Sequence, residues 1–415
     1  MRSDYDAIIV GGGPAGASAA ILLAQAGHAV AVVEKAIFPR RKVCGEFISA
    51  TTWPLLRELG VADTLKRSTG PTVRRIGLFA GTAQLTAAMA LLRNDEIGDG
   101  CAVGREVLDT VLLERACAAG AKIWQPWTLA GYAADAAGYT CTIEERGSGR
   151  LHTLQAPLLI AAHGSWESGP LPTQDFRTPP RPSDLLGFKA HFREGNLAAD
   201  LMPLLAFPGG YGGMVHTGAG RISLSCCMRR DQLEACRRRW PQHRAGAAVL
   251  AHISMHCAGA AATLSGATLE GAWLAAGPIR PGIRGFGAEG VFTVGNTAAE
   301  AHPIVAEGIS MAIQSASLLC ERLIARRSSA LTPAALASIR HDYGRAWRRN
   351  FSPRLHAATL YAHLFMRPLS TRMAVAVMER LPSVLTLGAR WSGKADALHR
   401  PPVTTVADAR SGRPG

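Results

Sequence analysis

The stretch that most constrains this chain lies within its first 35 residues. Residues 5–10 (YDAIIV) form a short apolar run, Gly11-Gly12-Gly13-Pro14-Ala15-Gly16 follows at once, and an Ala/Leu-rich segment leads to Gly27. A second apolar run, residues 29–33, then ends in Glu34. Strand, glycine turn, helix and strand in about 30 residues is the βαβ unit of a dinucleotide-binding fold. The glycines have separate tasks: Gly11 permits the tight turn, Gly13 lets the backbone approach a pyrophosphate, and Gly16 lets helix and strand pack closely. The helix start at Pro14 and Ala15 offers free amides to phosphate. Glu34, 18 residues beyond Gly16 and followed by Lys35, is expected at the strand tip, accepting from adenosine ribose hydroxyls. Its charge disfavours a 2′-phosphate, so FAD or NAD is expected there rather than NADP.

The same glycine spacing recurs at Gly285-Phe286-Gly287-Ala288-Glu289-Gly290, but an apolar strand-like run, residues 291–295, follows where a helix is required. The second string therefore reads as a loop. Further along, residues 102–121 read as a helix starting just after Arg105, and residues 158–162 as a strand ending at His163-Gly164-Ser165. Residues 184–228 alternate apolar and polar side chains and are punctuated by Gly209-Gly210-Tyr211-Gly212-Gly213, which predicts an antiparallel sheet. After a strand at 291–295 and a loop at 296–308, residues 309–325 present an apolar helical face. From Leu331 the chain reads as helical and basic, with breaks at Pro368 and Pro382, and beyond Trp391 as a disordered tail.

The expected architecture is thus α/β: a Rossmann-like FAD/NAD(P)-binding domain, an inserted α+β domain built on an antiparallel substrate sheet, and a helical C-terminal region. Its expected segments are 1–165 (with a substrate-side stretch at about 46–100), 166–270, 271–330, 331–390 and the tail 391–415. Of 415 residues, 48% are hydrophobic and 18% charged, which excludes a disordered chain. The net charge of +14 comes from arginines spread along the whole chain, since only six of the 45 basic residues are lysines. The densest basic run, residues 229–240, reads as a solvated helix face rather than a nucleic-acid site. Nine cysteines include no C-x-x-C pair, so neither a metal site nor a dithiol is expected. No secretory leader and no uniformly apolar stretch of about 18 residues is seen, so a cytoplasmic protein is expected. The apolar residues between Leu355 and Leu387 add an expectation of peripheral membrane contact.

Four pieces occur in one order: the opening glycine turn, the Arg105 helix, the His163-Gly164 turn and the segment from Gly295 to Gly308. Together they resemble the FAD-dependent oxidoreductases of the group containing geranylgeranyl reductases, flavin-dependent halogenases and aromatic hydroxylases, over roughly residues 1–326. Phe38-Pro39 through Lys42, Cys44-Gly45-Glu46 and Ser49 look most like the reductase branch, and no W-x-W-x-I-P run favours a halogenase. The resemblance implies FAD, held by Gly11, Gly13, Pro14, Ala15, Gly16, Glu34, Lys35 and Arg105, and by Gly295, Asn296, Pro303, Gly308 and Ile309 at the ring end. Asn296 stands where the group usually has aspartate, and His163 replaces the aspartate of its usual Asp-Gly turn. A helix opening near Ile309 would aim its amides at the flavin N1 and C2 carbonyl.

The reaction expected from this resemblance is hydride transfer from reduced FAD to a carbon-carbon double bond of a hydrophobic small molecule, with NADPH or NADH as external donor. A hydroxylase acting on an aromatic or polyketide substrate is the alternative. A flavin-binding electron-transfer or interaction protein is the alternative of another class. Cys44, Glu46 and His302 are the candidate catalytic residues. Each also has a plainer reading: Cys44 as a small buried side chain, Glu46 as a partner of an arginine such as Arg41, and His302 as a loop residue holding backbone groups. Tyr211 and His216 are pocket candidates on the sheet. Oligomeric state is not legible.

Overall fold

The computed structural model describes residues 4–89, 100–165, 167–174, 179–288, 290–326 and 332–391. The opening unit forms as read: a strand at Ala7–Val10, a helix at Pro14–Gln25 and a strand at Val30–Val33. Every residue of both strands is buried, as parallel strands covered on both faces require. They lie in a six-stranded sheet with the order 287–288, 291–293, 158–161, 7–10, 30–33 and 122–124. Ala7–Val10 pairs in parallel with Val30–Val33 on one side and Leu158–Ala161 on the other, and Leu158–Ala161 pairs in parallel with Val291–Thr293. The second glycine string enters this last strand through an antiparallel pairing at Gly287–Ala288, so no helix follows it.

The opening helix is rich in alanine because it is wedged between two others, Arg105–Ala118 and Gly308–Ile324. Ala17, Ala19 and Ala20 are fully buried, and their small side chains let the neighbours approach closely. The Cys320 thiol of the late helix reaches the Ala19 carbonyl at 3.7 Å. Between strand and late helix, residues 296–308 are more ordered than a loop. Gly295–Thr297 and Pro303–Val305 are 3-10 turns, and Ala299–Glu300 pairs with Gly282–Ile283.

The second sheet has seven strands, in the order Thr268–Ile279, Leu185–Arg193, Arg221–Arg229, Gly210–Thr217, Leu201–Phe207, Arg75–Ala80 and Ala83–Ala88. Its neighbours are antiparallel except Leu201–Phe207 with Arg75–Ala80, which run parallel. Two strands therefore come from the stretch before the Arg105 helix, and the edge strand runs past residue 270, where the sequence reading ended the sheet. That reading also missed two helices, Ala245–His256 and Ala258–Leu264, because alternation in the strands dominated the segment. The dense basic run forms the helix Arg230–Arg239, a solvated face as expected, burying Leu233 and Cys236 and exposing Arg237, Arg238 and Arg239. A separate three-stranded meander, Trp127–Asp135, Gly138–Glu145 and Leu151–Ala156, lies between the strands of the first sheet in sequence.

Helices Pro333–Phe365, Pro368–Arg380 and Ser383–Ala389 complete the described chain, with breaks where Pro368 and Pro382 were expected to make them. Pro353, by contrast, sits inside the first of these helices. The Tyr343 hydroxyl donates to the Thr293 carbonyl at 2.9 Å and ties that helix to the first sheet. The expected disordered tail lies outside the described residues. Among the described residues no helix is long and apolar enough to cross a membrane.

A Cβ on Gly16 would lie 1.8 Å from the Gly11 carbonyl oxygen, so the opening helix touches its strand turn by backbone alone. Gly16→Ala is expected to cost about 3 kcal/mol, the upper end for overpacking. A denaturant melt with an unchanged midpoint would contradict this account of the packing.

Candidate active site

Both sheets and the C-terminal helices face one cavity of about 630 Å³. At one end lies the opening turn, with Gly11, Gly13, Pro14 and Ala15 in the lining. Gly11 adopts φ +110°, and a Cβ there would meet the Ala162 carbonyl oxygen at 2.5 Å. Gly13 differs, because the nearest atoms to a Cβ on it are guanidinium nitrogens of Arg40 and Arg105, at 3.8 and 4.0 Å. A free space beside a helix N-terminus, faced by two arginines, is a cradle for a phosphate. Gly16 stays out of the lining, in keeping with its packing role.

Glu34 is buried at the tip of its strand, with Oε2 accepting from the Gly12 N–H and Oε1 from the Ala36 N–H, both at 2.8 Å. These bonds fix the carboxylate and leave acceptor capacity toward the cavity. Lys35 lines the cavity and pairs with Glu167. Arg105 is the first residue of its helix, and its guanidinium meets Asp109 through two bonds of 2.7 Å. Burial opposes that charge, but the Asp109 pair outweighs it and holds the pKa above the ordinary arginine value. Arg40 bridges toward Glu34 at 3.6 Å and Asp109 at 3.5 Å. Lys42 lies beside them, its pKa brought down to about 8 by burial first and then by Arg40 and Arg105. Arg40 and Lys42 were not singled out as cofactor ligands, although their place six and eight residues after Glu34 was visible.

The late turn comes to the same place. Gly295 adopts φ +61°, and a Cβ on it would be 2.8 Å from that of Ala15. Its N–H donates to Ser315 Oγ at 2.8 Å. Asn296 lines the cavity and donates to Glu300 Oε1 at 3.4 Å. Glu300 is itself buried, accepting from Ser165 at 2.8 Å and from Arg284 at 2.7 Å. Pro303, Gly308 and Ile309 also border the cavity, and nothing lies within 4 Å of a Cβ placed on Gly308. His163 bonds Thr173 at 2.8 Å, and burial above all lowers its pKa to about 4.

The three candidate catalytic residues separate. Glu46, in a left-handed conformation at φ +63°, is fully buried. Its Oε1 accepts from the Arg105 N–H at 3.2 Å and pairs with the Lys189 ammonium, and its Oε2 accepts from His191 Nε2 at 2.9 Å. Arg41 donates to the other nitrogen of His191 at 2.8 Å, so the arginine acts on Glu46 through the histidine. Burial would raise the Glu46 pKa, but the His191 bond and the Lys189 charge reverse that and hold it at about 2. Glu46 is therefore an ionised anchor and supplies no proton near neutrality. Lys189 and His191 were missed, although their alternation in LLGFKAHFR put both on one strand face. Cys44 borders the cavity, its thiol accepting from the Glu46 N–H at 3.4 Å and its carbonyl from Ser225 Oγ at 2.7 Å.

His302 is buried at the far side of the ring end, 3.2 Å from the Tyr211 hydroxyl through Nδ1. Burial, with His363 nearby, lowers its pKa to about 4. Tyr211 is buried among sheet residues and its pKa is pushed well above 10 by burial. His216 instead bonds the Leu197 carbonyl at 2.8 Å and is absent from the cavity lining. The remaining wall comprises Met202, Leu204 and Met214 of the sheet and Phe365, Met378 and Leu385 of the C-terminal helices. The charged residues of the lining, Glu34, Lys35, Arg40, Lys42, Glu46, Arg105, Glu167 and Glu300, gather at the cradle and around the two turns.

Residues 4–342 match the family described as FAD binding domain. The chain belongs to this family. Among curated relatives, 1H-pyrrole-2-carbonyl-[peptidyl-carrier protein] chlorinase of Pseudomonas fluorescens is 34% identical over 29% of this chain and 31% of its own. Menaquinone reductase of Mycolicibacterium smegmatis is 43% identical over 16% of each chain. Tetracenomycin A2 monooxygenase-dioxygenase of Streptomyces glaucescens is 30% identical over 38% of this chain and 32% of its own. The matches thus span about a third or less of these relatives. Two solved structures share the fold. The myxobacterial chondrochloren halogenase CndH aligns with TM-score 0.73 and 19% identity over 92% of this chain and 90% of its own. PqsL of Pseudomonas aeruginosa, solved with 2-aminobenzoylacetate, aligns with TM-score 0.66 and 19% identity over 94% and 99%.

The residues of the FAD-binding chain fit its cofactor. The open face of Gly13 flanked by Arg40 and Arg105 suits the pyrophosphate, Glu34 the adenosine ribose, and the helix start at Gly308 the ring.

Glu46 yields a pH dependence whose sign is fixed. Its carboxyl titrates at about 2 in the fold against 4.5 ordinarily, so its stabilisation is complete above pH 4.5 and is lost as pH falls toward 2. Glu46→Gln should remove that part of the acid dependence. At neutral pH it should cost about 3–5 kcal/mol, because the buried Lys189 loses its countercharge. Denaturant melts of both proteins between pH 3 and 7 test this; parallel curves would refute it.

Proposed function

We propose that this chain is an FAD-dependent oxidoreductase of the monooxygenase type, inserting one oxygen atom of O2 into a hydrophobic aromatic or polyketide-like small molecule. The balance is substrate C–H, O2, NAD(P)H and a proton giving substrate C–OH, water and NAD(P)+. The observation that carries this reading is the division of the cavity. Charged groups line the dinucleotide half, and the half beneath the seven-stranded sheet is walled by Met202, Leu204, Met214, Phe365, Met378 and Leu385. Such a wall selects an apolar molecule and keeps water away from the reacting atoms.

FAD, when bound, supplies the two-electron chemistry, either hydride transfer or oxygen insertion. The chain supplies charge and position. Arg40 and Arg105 offset the pyrophosphate charge, and the N-terminus of the helix Gly308–Ile324 stabilises negative charge at the ring end. Tyr211 and His302 form the polar pair at the apolar end and are suited to orient a hydroxyl or carbonyl of the substrate.

Hydride addition to a double bond also needs a proton on the second carbon. The groups at the apolar end hold their protons tightly or lack one to give. Tyr211, Cys226 and Cys227 are all pushed upward by burial, while His302, at about 4, is neutral near pH 7. The run Cys44-Gly45-Glu46, which drew the sequence reading toward the reductase branch, ends in an ionised anchor rather than an acid. The name of the tetracenomycin relative, a monooxygenase-dioxygenase, favours oxygen-dependent chemistry, whereas the menaquinone reductase match keeps hydride transfer as the second reading.

Product mass separates the two. With NAD(P)H and an aromatic polyketide or phenolic panel, conversion should require O2 and add one oxygen atom; anaerobic gain of two hydrogens would overturn the proposal in favour of the reductase. The pH profile is a second check. His302 titrates at about 4, so kcat/KM should show no transition of this imidazole between about pH 5.5 and 8. Tyr211→Phe should raise KM about tenfold, the scale of one lost hydrogen bond to the substrate, with a smaller effect on kcat.

A further inference from the structure

The C-terminal helices have two apolar faces, and the cavity accounts for only one. Val375, Met378 and Leu385 turn inward against Leu85, Leu204, Ile304 and Phe365. On the other side, Leu369, Met373, Val377 and Leu381 recur every four residues along Pro368–Arg380 and just past its end, and Leu387 and Trp391 follow after a break of six. These six side chains are between 45% and 72% exposed. An outward stripe of large apolar residues on a solvent-facing helix is unusual for a monomer.

Two observations say what covers it. The first is charge: within 366–391 four arginines, Arg367, Arg372, Arg380 and Arg390, stand against the single Glu379, and all four are exposed. Apolar side chains interleaved with arginines along this helix and the short one that follows it, with Trp391 beyond, match an interface of hydrocarbon and anionic headgroups. The second is continuity. Leu387 and Trp391 belong both to the exposed stripe and to the cavity wall, so the cavity opens through the stripe itself.

We propose that this face docks on an anionic lipid bilayer, with the helix Pro368–Arg380 lying along the surface and its apolar residues inserted. The cavity mouth then opens into the lipid, and a lipophilic substrate passes from bilayer to cavity without crossing water. The entry route rests on the reading of the apolar half as the substrate end; the docking surface does not.

Co-sedimentation of the full-length FAD-loaded protein with phosphatidylglycerol–phosphatidylcholine vesicles tests the docking. Binding is expected with these vesicles and is expected to fall with salt and with phosphatidylcholine alone. Leu369→Ser/Met373→Ser/Val377→Ser should weaken partition about tenfold or more. Arg372→Ala/Arg380→Ala should do the same, whereas Arg237→Ala/Arg238→Ala, on the helix packed against the opposite face of the seven-stranded sheet, should not. Each variant should keep the flavin absorbance and the unfolding midpoint of the parent, since the replaced side chains face outward. Failure to bind anionic vesicles, or equal loss in the Arg237/Arg238 control, overturns the proposal. So does a parent dimer that the apolar triple variant converts to monomer, because a second copy would then cover the stripe. Vesicle binding is read without turnover, so its failure and the failure of oxygen insertion are independent results.

Discussion

A single buried carboxylate holds the two sheets in register across the cavity. Glu46 accepts from the backbone of Arg105 on the dinucleotide side and from Lys189 and His191 on the seven-stranded sheet. In a dry interior a charge is tolerated only when opposite charge and hydrogen bonds surround it, so the arrangement is either complete or strongly unfavourable. That stiffness matters for function. The Arg105 side chain faces Gly13, and the position of its helix fixes the cradle relative to the seven-stranded sheet. Glu46 holds a left-handed backbone to reach all three partners, a strain sustained by the surrounding charge network.

The cradle was legible because its requirements are local. A turn that places a helix against its own strand by backbone contact admits only glycine at positions 11 and 16, and the flanking apolar runs identify strand and helix within a few residues. The ring end was legible more weakly. Gly295 and Gly308 are ordinary strand-end and helix-start glycines in isolation, and their meaning comes from Gly295 meeting Ala15, a contact 280 residues apart in sequence. The Glu46 network was hidden for the same reason. Nothing adjacent to residue 46 announces that residues 189 and 191 will face it, because the pairing arises from the approach of two sheets. The seven-stranded sheet was recognisable by alternation from Leu185 to Met228, whereas its strands at 75–88 and 268–279 come from stretches that look unremarkable alone.

The sequence offers Glu46 both as a candidate catalytic residue and, more plainly, as a charge partner, and its surroundings decide its protonation state. Burial by itself would indeed have raised its pKa and made it an acid. The partners reverse the sign, and they come from a strand that the sequence does not connect to it. His302 shows the opposite pattern. It is buried with few polar partners, so desolvation goes largely unopposed and keeps the ring uncharged near neutrality. The two side chains are thus held in opposite protonation states by different physics, Glu46 ionised and His302 neutral.

The shape of the apolar half of the cavity depends on the C-terminal helices as well as on the sheet. Met378 and Leu385 close the wall that the sheet begins, so the helices are part of the site although they lie beyond the residues that match the family. A binding chamber assembled partly from such an appended layer can change its lining without disturbing the cradle, since the charged and apolar ends share few residues. The dinucleotide half is constrained by glycine geometry and buried ion pairs, and tolerates little change. Among the described residues, the helical layer carries no such backbone contacts or buried ion pairs at the cavity, where its lining residues are apolar. Differences in substrate among chains of this fold are accordingly expected to be written in the sheet face and the C-terminal helices, with the opening βαβ unit held fixed.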